Sequence, residues 1–164
     1  MNKLFFLLSV LFFSLAFKAD SNLNKELPNV TLHKLDGGTI STKEFTKNGK
    51  PAIVSFWSIT CIPCMKELIA INKEYDQLQK ETGVTLYAVS IDPKSLSERV
   101  PAIADKKGWK FPILKDEDKN LFSKMGVSSL PYTIIIDKSG KILYEHNSYK
   151  SGDEEEIYKV LKSL

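Results

Sequence analysis

The sequence predicts an α/β fold: a central mixed sheet flanked by helices, with an N-terminal hairpin and a strand and helix inserted in the middle. Three observations carry this. Apolar runs of strand length, at 51–57, 84–91 and 134–136, alternate with stretches of helical period. The first two runs enclose an amphipathic segment at 62–81, so they form a parallel pair joined by a right-handed crossover. The third leads through the turn Asp137-Lys138-Ser139-Gly140 into another apolar stretch, which makes an antiparallel pair.

Taken from its start, the chain opens with Met1-Asn2-Lys3, and residues 4–17 are an almost unbroken apolar run with a small-x-small cleavage site at Ser14 and Ala16. That run is shorter than the ~20 residues of a comfortable bilayer span. Residues 1–19 therefore read as a secretory signal peptide and 20–164 as one domain with a single core. An uncleaved membrane anchor is the alternative. No cysteine directly follows the run, which excludes a lipoprotein anchor. The expected location is the periplasm or cell envelope.

Val30, Leu32 and Leu35 alternate weakly, Asp36-Gly37-Gly38 turns the chain, and Thr39-Ile40 resumes, giving the hairpin. Ser41 caps a short helical turn reaching Phe45, and Gly49-Lys50-Pro51 ends it ahead of the central strand. Met65, Leu68, Ile71 (or Ile69), Tyr75 and Leu78 recur at helical spacing and place a helix over 62–81, with Gly83 at its end. Pro63 fits its first turn, where a missing N–H costs nothing. After the strand at 84–91 a second helix is expected over 96–107, with Pro101 early in it and Gly108 beyond it. Residues 111–115 read as a short edge strand, since Pro112 disfavours a central position. A brief helix spans 120–125. Pro131 precedes the strand 134–136, where base rates favour a trans peptide. Residues 141–146 form its partner. Asp153 caps the last helix, Glu154, Glu155 and Glu156 oppose its dipole, and Lys159 and Lys162 sit near its far end.

Cys61 and Cys64, the only cysteines, sit where the central strand hands over to the long helix. The free N–H groups and positive dipole end of a helix start stabilise a thiolate over a thiol. Cys61 is therefore the candidate nucleophile. Cys64, one turn further in, is the more buried and less ionised partner, suited to resolving. Two other readings compete. A structural staple would close a very short loop and stabilise little, because the stabilisation grows with loop length. A zinc site would need two more ligands, and His33 and His146 are not spaced as a pair.

Without residues 1–19 the chain carries 21 basic and 20 acidic side chains, and its basic residues are all lysine but Arg99. So even a balance, with no basic patch interleaved with aromatics, excludes nucleic acid as a partner. No cofactor and no metal site are expected.

The element order, together with Phe56-Trp57, Cys61-Ile62-Pro63-Cys64 and Leu130-Pro131-Tyr132-Thr133, resembles the thioredoxin superfamily from Asn29 to the C-terminus. The signal, the front hairpin, the middle insertion and Glu67 after Cys-x-Pro-Cys are similar to its exported TlpA/ResA-like thiol–disulfide oxidoreductases. The resemblance implies that Pro131 is a cis-proline lying against the disulfide, against the base rate. It implies that Trp57 supports the active-site helix and, with Ile62, Pro63 and Leu130, contributes to substrate binding. An extended substrate segment would pair with the Leu130 backbone. Glu67 would tune cysteine protonation, although a carboxylate near a helix start is favourable in any case. Thioredoxin's buried strand aspartate is Ser55 here, and its tryptophan before the first cysteine is Thr60. Proton transfer from Cys64 would then need Glu67 or water.

The expected chemistry is thiol–disulfide exchange, in the reductase direction because Ile62-Pro63 lacks the histidine of strong oxidants. Implied partners are disulfide-bearing exported proteins, apocytochrome c among them, and a membrane electron donor of the DsbD/CcdA kind. The alternatives are a thiol oxidant, a peroxidase of the AhpC/TSA type and a copper chaperone. The peroxidase pattern has an arginine near its cysteine, whereas Arg99 is distant in sequence. The chaperone would want Cys-x-x-x-Cys.

Overall fold

The computed structural model describes residues 25–164. The expected signal peptide, residues 1–19, lies outside them. Seven strands form one sheet: β1 (Thr31–Lys34), β2 (Thr39–Ser41), β3 (Ala52–Trp57), β4 (Thr85–Ser90), β5 (Ile113–Lys115), β6 (Tyr132–Ile136) and β7 (Ile142–Asn147). Their order is β2-β1-β5-β4-β3-β6-β7, with β3, β4 and β5 parallel and the rest antiparallel to their neighbours. The helices are α1 (Ile62–Thr82), α2 (Lys94–Ser97), α3 (Val100–Lys107), α4 (Asn120–Lys124) and α5 (Glu154–Lys162).

Strand alternation sorts the apolar side chains into two cores, one on each sheet face. Ile53, Trp57, Leu86, Ala88 and Ile135 meet Leu68, Ile71, Tyr75, Val100 and Ile157 from α1, α3 and α5. Ala52, Val54, Phe56, Val89 and Ile134 meet Phe45, Leu121 and Met125 on the other side. β3 is buried at all six positions because it lies inside the sheet with both faces covered. On the α1 face three buried polar positions break the apolar pattern, Ser90 at the end of β4 and two more on β3 and β6. Ser55 and Thr133 are cross-strand partners there, and both are fully buried.

The hairpin, the crossover pair, the β6–β7 pair and the helix caps at Ser41 and Gly83 match the sequence reading. Glu44 completes a capping box with Ser41, and Gly83 takes a left-handed φ of 72° that favours glycine. Three expectations need correction. First, 113–115 is no edge strand: β5 pairs with β4 on one side and β1 on the other. Pro112 lies just before the strand and contributes only its carbonyl, which accepts from the Ala88 N–H at 3.0 Å, so its missing N–H does not break the ladder. Second, the helix over 96–107 is two helices, α2 and α3. Pro101 has no N–H to bond the carbonyl four residues back, and the chain restarts with this proline in its first turn. Third, Asp153 does not cap α5. It is itself helical in conformation, and its carboxylate accepts from the Lys150 N–H at 2.7 Å instead.

A cap that local sequence did not reveal holds α4. Asp116, buried to 4% exposure, accepts from the N–H groups of Asn120, Leu121 and Phe122 at 2.8, 3.3 and 2.9 Å. Asp116→Ala leaves these donors bare beneath Leu121. It should lower stability by about 2 kcal/mol, read by denaturant unfolding at pH 7; a loss within experimental error would show that water replaces the cap.

Candidate active site

β3 ends at Trp57, and a three-residue loop leads to Cys61, the N-cap residue of α1. Its extended backbone (φ −89°, ψ 97°) turns the side chain back over the helix start, where Sγ accepts from the Cys64 N–H at 3.3 Å. Serine and aspartate oxygens commonly play this role. Here a sulfur occupies it, which is the geometry that stabilises a thiolate. Cys61 and Cys64 are joined by a disulfide, with their Cα atoms 5.3 Å apart. Cys61 is half-buried, whereas Cys64 has no exposed surface. The reachable sulfur is therefore the one at the helix tip.

The other residues singled out from sequence fall into two groups. Ile62 (70% exposed) and Pro63 stand in solvent beside Cys61. Leu130 is half-buried against both cores, and the Leu130–Pro131 peptide is cis, as the family likeness implied and the base rate did not. Trp57, by contrast, has no exposed surface. It shares a core cluster with Cys64 and Leu68 and meets Trp109 edge to face at 4.9 Å, which places it beneath α1 and away from the exposed rim of Ile62 and Pro63.

Glu67 lies one helical turn past Cys64 on the buried side of α1, and its side chain is wholly enclosed. It points at the sheet and not at the helix start. Thr133 Oγ1 donates to Oε1 at 2.8 Å, while Oε2 is buried without a hydrogen-bond partner. Ser55 sits on the same patch of sheet and eases the carboxylate slightly, but its hydroxyl makes no hydrogen bond. Burial is the dominant influence: it raises the Glu67 pKa from 4.5 to about 7, and Asp153 and Glu154 push the same way while Thr133 opposes them. A carboxyl poised between its neutral and anionic forms near neutral pH thus sits on the buried face of α1, one helical turn from Cys64. Sequence reasoning found Glu67 and noted Ser55, but it missed Thr133, which lies 66 residues from Glu67 and meets it only through sheet pairing.

His33 and His146 stand on β1 and β7, strands separated by four others in the sheet. Among the described residues no three His, Cys, Asp or Glu side chains gather as metal ligands, and no helix is long and apolar enough to cross a membrane.

Residues 23–145 match the AhpC/TSA family. The chain is 32% identical over 126 residues to the thiol-disulfide oxidoreductase ResA of Bacillus thuringiensis (strain Al Hakam), spanning 77% of this chain and 70% of that one. It is 33% identical over 133 residues to the protein of the same name from Halalkalibacterium halodurans, spanning 79% and 73%. Among solved structures, a thioredoxin-like protein from Porphyromonas gingivalis superposes with a TM-score of 0.75 at 40% identity, over 84% of this chain and 90% of that one. A DsbE-type protein of Chlorobium tepidum shares the fold with a TM-score of 0.76 at 21% identity, over 85% and 95%.

Proposed function

The chain belongs to the AhpC/TSA family and is a thiol–disulfide oxidoreductase of thioredoxin-like fold; from that premise we propose that it reduces disulfides of exported proteins. One observation carries the reading: the reachable member of the pair is the helix-tip sulfur, and one turn past the buried member, on the same buried side of α1, stands a carboxyl poised near neutrality.

The steps follow from that arrangement. In the reduced protein Cys61 is the thiolate. It attacks one sulfur of a substrate disulfide, the substrate S–S bond breaks, and the departing sulfur leaves as a thiolate that takes a proton from water. Cys64 then gives its proton to the Glu67 carboxylate and attacks the Cys61 sulfur of the mixed disulfide. The second substrate sulfur leaves and the Cys61–Cys64 bond forms. Two electrons pass from the pair to the substrate. A group with a pKa near 7 both accepts the Cys64 proton and releases it afterwards. Ile62, Pro63 and Leu130 form the apolar rim on which an extended substrate segment lies, its backbone paired beside Pro131.

Each turnover leaves the protein oxidised, so repeated use in an oxidising compartment requires a membrane electron donor of the DsbD/CcdA kind. Residues 1–19 would deliver the chain to the periplasm or cell envelope, where apocytochrome c is one fitting substrate. No nucleic acid takes part.

Cys64→Ser cannot resolve the first adduct. Expressed in place of the natural protein, it should accumulate mixed disulfides with exported partners on non-reducing gels, and mass spectrometry would name them. A clean gel counts against the mechanism. The direction is read separately: a Cys61–Cys64 potential near thioredoxin's about −270 mV fits a reductase, and one near about −120 mV reverses the assignment.

A further inference from the structure

Asp92 ends the segment after β4 and is 2% exposed, yet the exchange steps make no use of it. Its carboxylate only accepts. Ser58 Oγ donates to Oδ1 at 2.7 Å, the Ile59 N–H to Oδ2 at 2.9 Å, and Ser90 Oγ to Oδ2 at 2.7 Å. Ser58 and Ile59 belong to the loop that delivers the chain to Cys61. Ser58 passes the connection on: its Oγ accepts from the Thr60 N–H at 3.3 Å and its carbonyl from the Cys61 N–H at 3.0 Å. Among the described residues Asp92 forms no ion pair. The charged side chains on the elements around the pair include Lys66 and Glu67 in the first turns of α1, Lys94 on α2, Lys115 and Asp116 where β5 adjoins Ser90, and Asp153 and Glu154 at the start of α5. Of these and Asp92, the buried ones are Glu67, Asp92 and Asp116, and the Asp116 carboxylate is taken up by the N–H groups that start α4.

We propose that Asp92 is a positioning residue that pins the Cys61 loop to the end of β4 and places an uncompensated negative charge there, biasing the pair toward the disulfide. This rests on the reductase reading and deepens it, because it names a source of reducing power. With Cys61 as a thiolate the reduced pair is an anion, whereas the disulfide is neutral. A buried carboxylate nearby, little screened by salt, raises the energy of the reduced form only. The pair then gives its two electrons to a substrate disulfide more readily, with the bonds formed and broken as above.

Asp92→Asn separates charge from shape. The amide oxygen can keep the Ile59 and Ser90 donors, and the amide N–H can donate to Ser58 Oγ, since a hydroxyl also accepts. Equilibrated against glutathione buffers at pH 7, Asp92→Asn should favour the dithiol about tenfold over the unchanged protein, a rise of about 30 mV for this two-electron couple. Ser58→Ala removes one loop bond and keeps the charge, so it should move the equilibrium by less than about twofold. If Asp92→Asn does not fold, Asp92→Ser, smaller and still an acceptor for Ile59, carries the same expectation. An unmoved equilibrium, a shift toward the disulfide, or an equal shift in Ser58→Ala overturns the proposal. The absolute potential of the unchanged protein tests the reductase reading independently: a strongly oxidising value would end that reading while the Asp92 shift remained measurable.

Discussion

Cys61→Ser should abolish disulfide exchange, lowering the rate on the order of 10³-fold or more, as loss of a nucleophile does. A serine hydroxyl is scarcely ionised near neutral pH, so the helix tip has nothing reactive to stabilise. Cys64 cannot take over, because it has no exposed surface and lies under the first turn of α1. The fold should survive. Serine is a favoured N-cap residue and can keep the hydrogen bond from the Cys64 N–H. The lost disulfide closed a very short loop, worth about 2 kcal/mol by chain entropy. The measurement is reduction of a small aromatic disulfide by the pre-reduced protein, followed by stopped flow. Iodoacetamide provides the companion test: in the unchanged reduced protein it should label Cys61 well before Cys64, and in the folded variant Cys64 should stay unlabelled. Activity within about tenfold of the unchanged protein would show that another sulfur, or another mechanism, carries the exchange.

Local spacing alone encodes the reactive pair. Two cysteines three residues apart, after a strand-length apolar run and ahead of a 3.6-residue period, can only sit at a helix start. The distinction between Cys61 and Cys64 follows from that placement. The features that local spacing does not encode depend on contacts far apart in sequence. Thr133 becomes a partner of Glu67 only when β6 pairs with β3. Asp92 reads in sequence as the end of a strand, and its role as a clamp needs the parallel pairing that sets Ser90 beside Trp57. β5 reads as an edge strand because prolines avoid sheet interiors, but that rule concerns the N–H inside the ladder, and Pro112 stands one residue outside it.

Glu67→Gln should make the oxidised protein more stable at pH 8, by about 3 kcal/mol, and leave it unchanged at pH 4. The sign follows from a carboxyl whose pKa is 4.5 in the unfolded chain and about 7 in the folded one. Below about pH 4.5 the group is neutral in both states and contributes nothing. Between 4.5 and about 7 the unfolded chain ionises first, so stability falls as the pH rises. Above about 7 the folded protein carries a buried charge and the full cost is in place. Glutamine avoids that cost at every pH. It can keep the Thr133 hydrogen bond at its oxygen, and its amide N–H₂ faces the Ser55 hydroxyl, which has no partner of its own. Urea unfolding of both oxidised proteins across pH 4–8 should therefore give curves that meet in acid and diverge toward pH 8. A variant less stable than the unchanged protein at pH 8 would mean that the Glu67 carboxylate is well solvated, and its pKa then ordinary. The same substitution removes the acceptor for the Cys64 proton, so resolution of the mixed disulfide should slow. Greater stability with slower turnover is the pattern of a group kept for its chemistry and not for the fold.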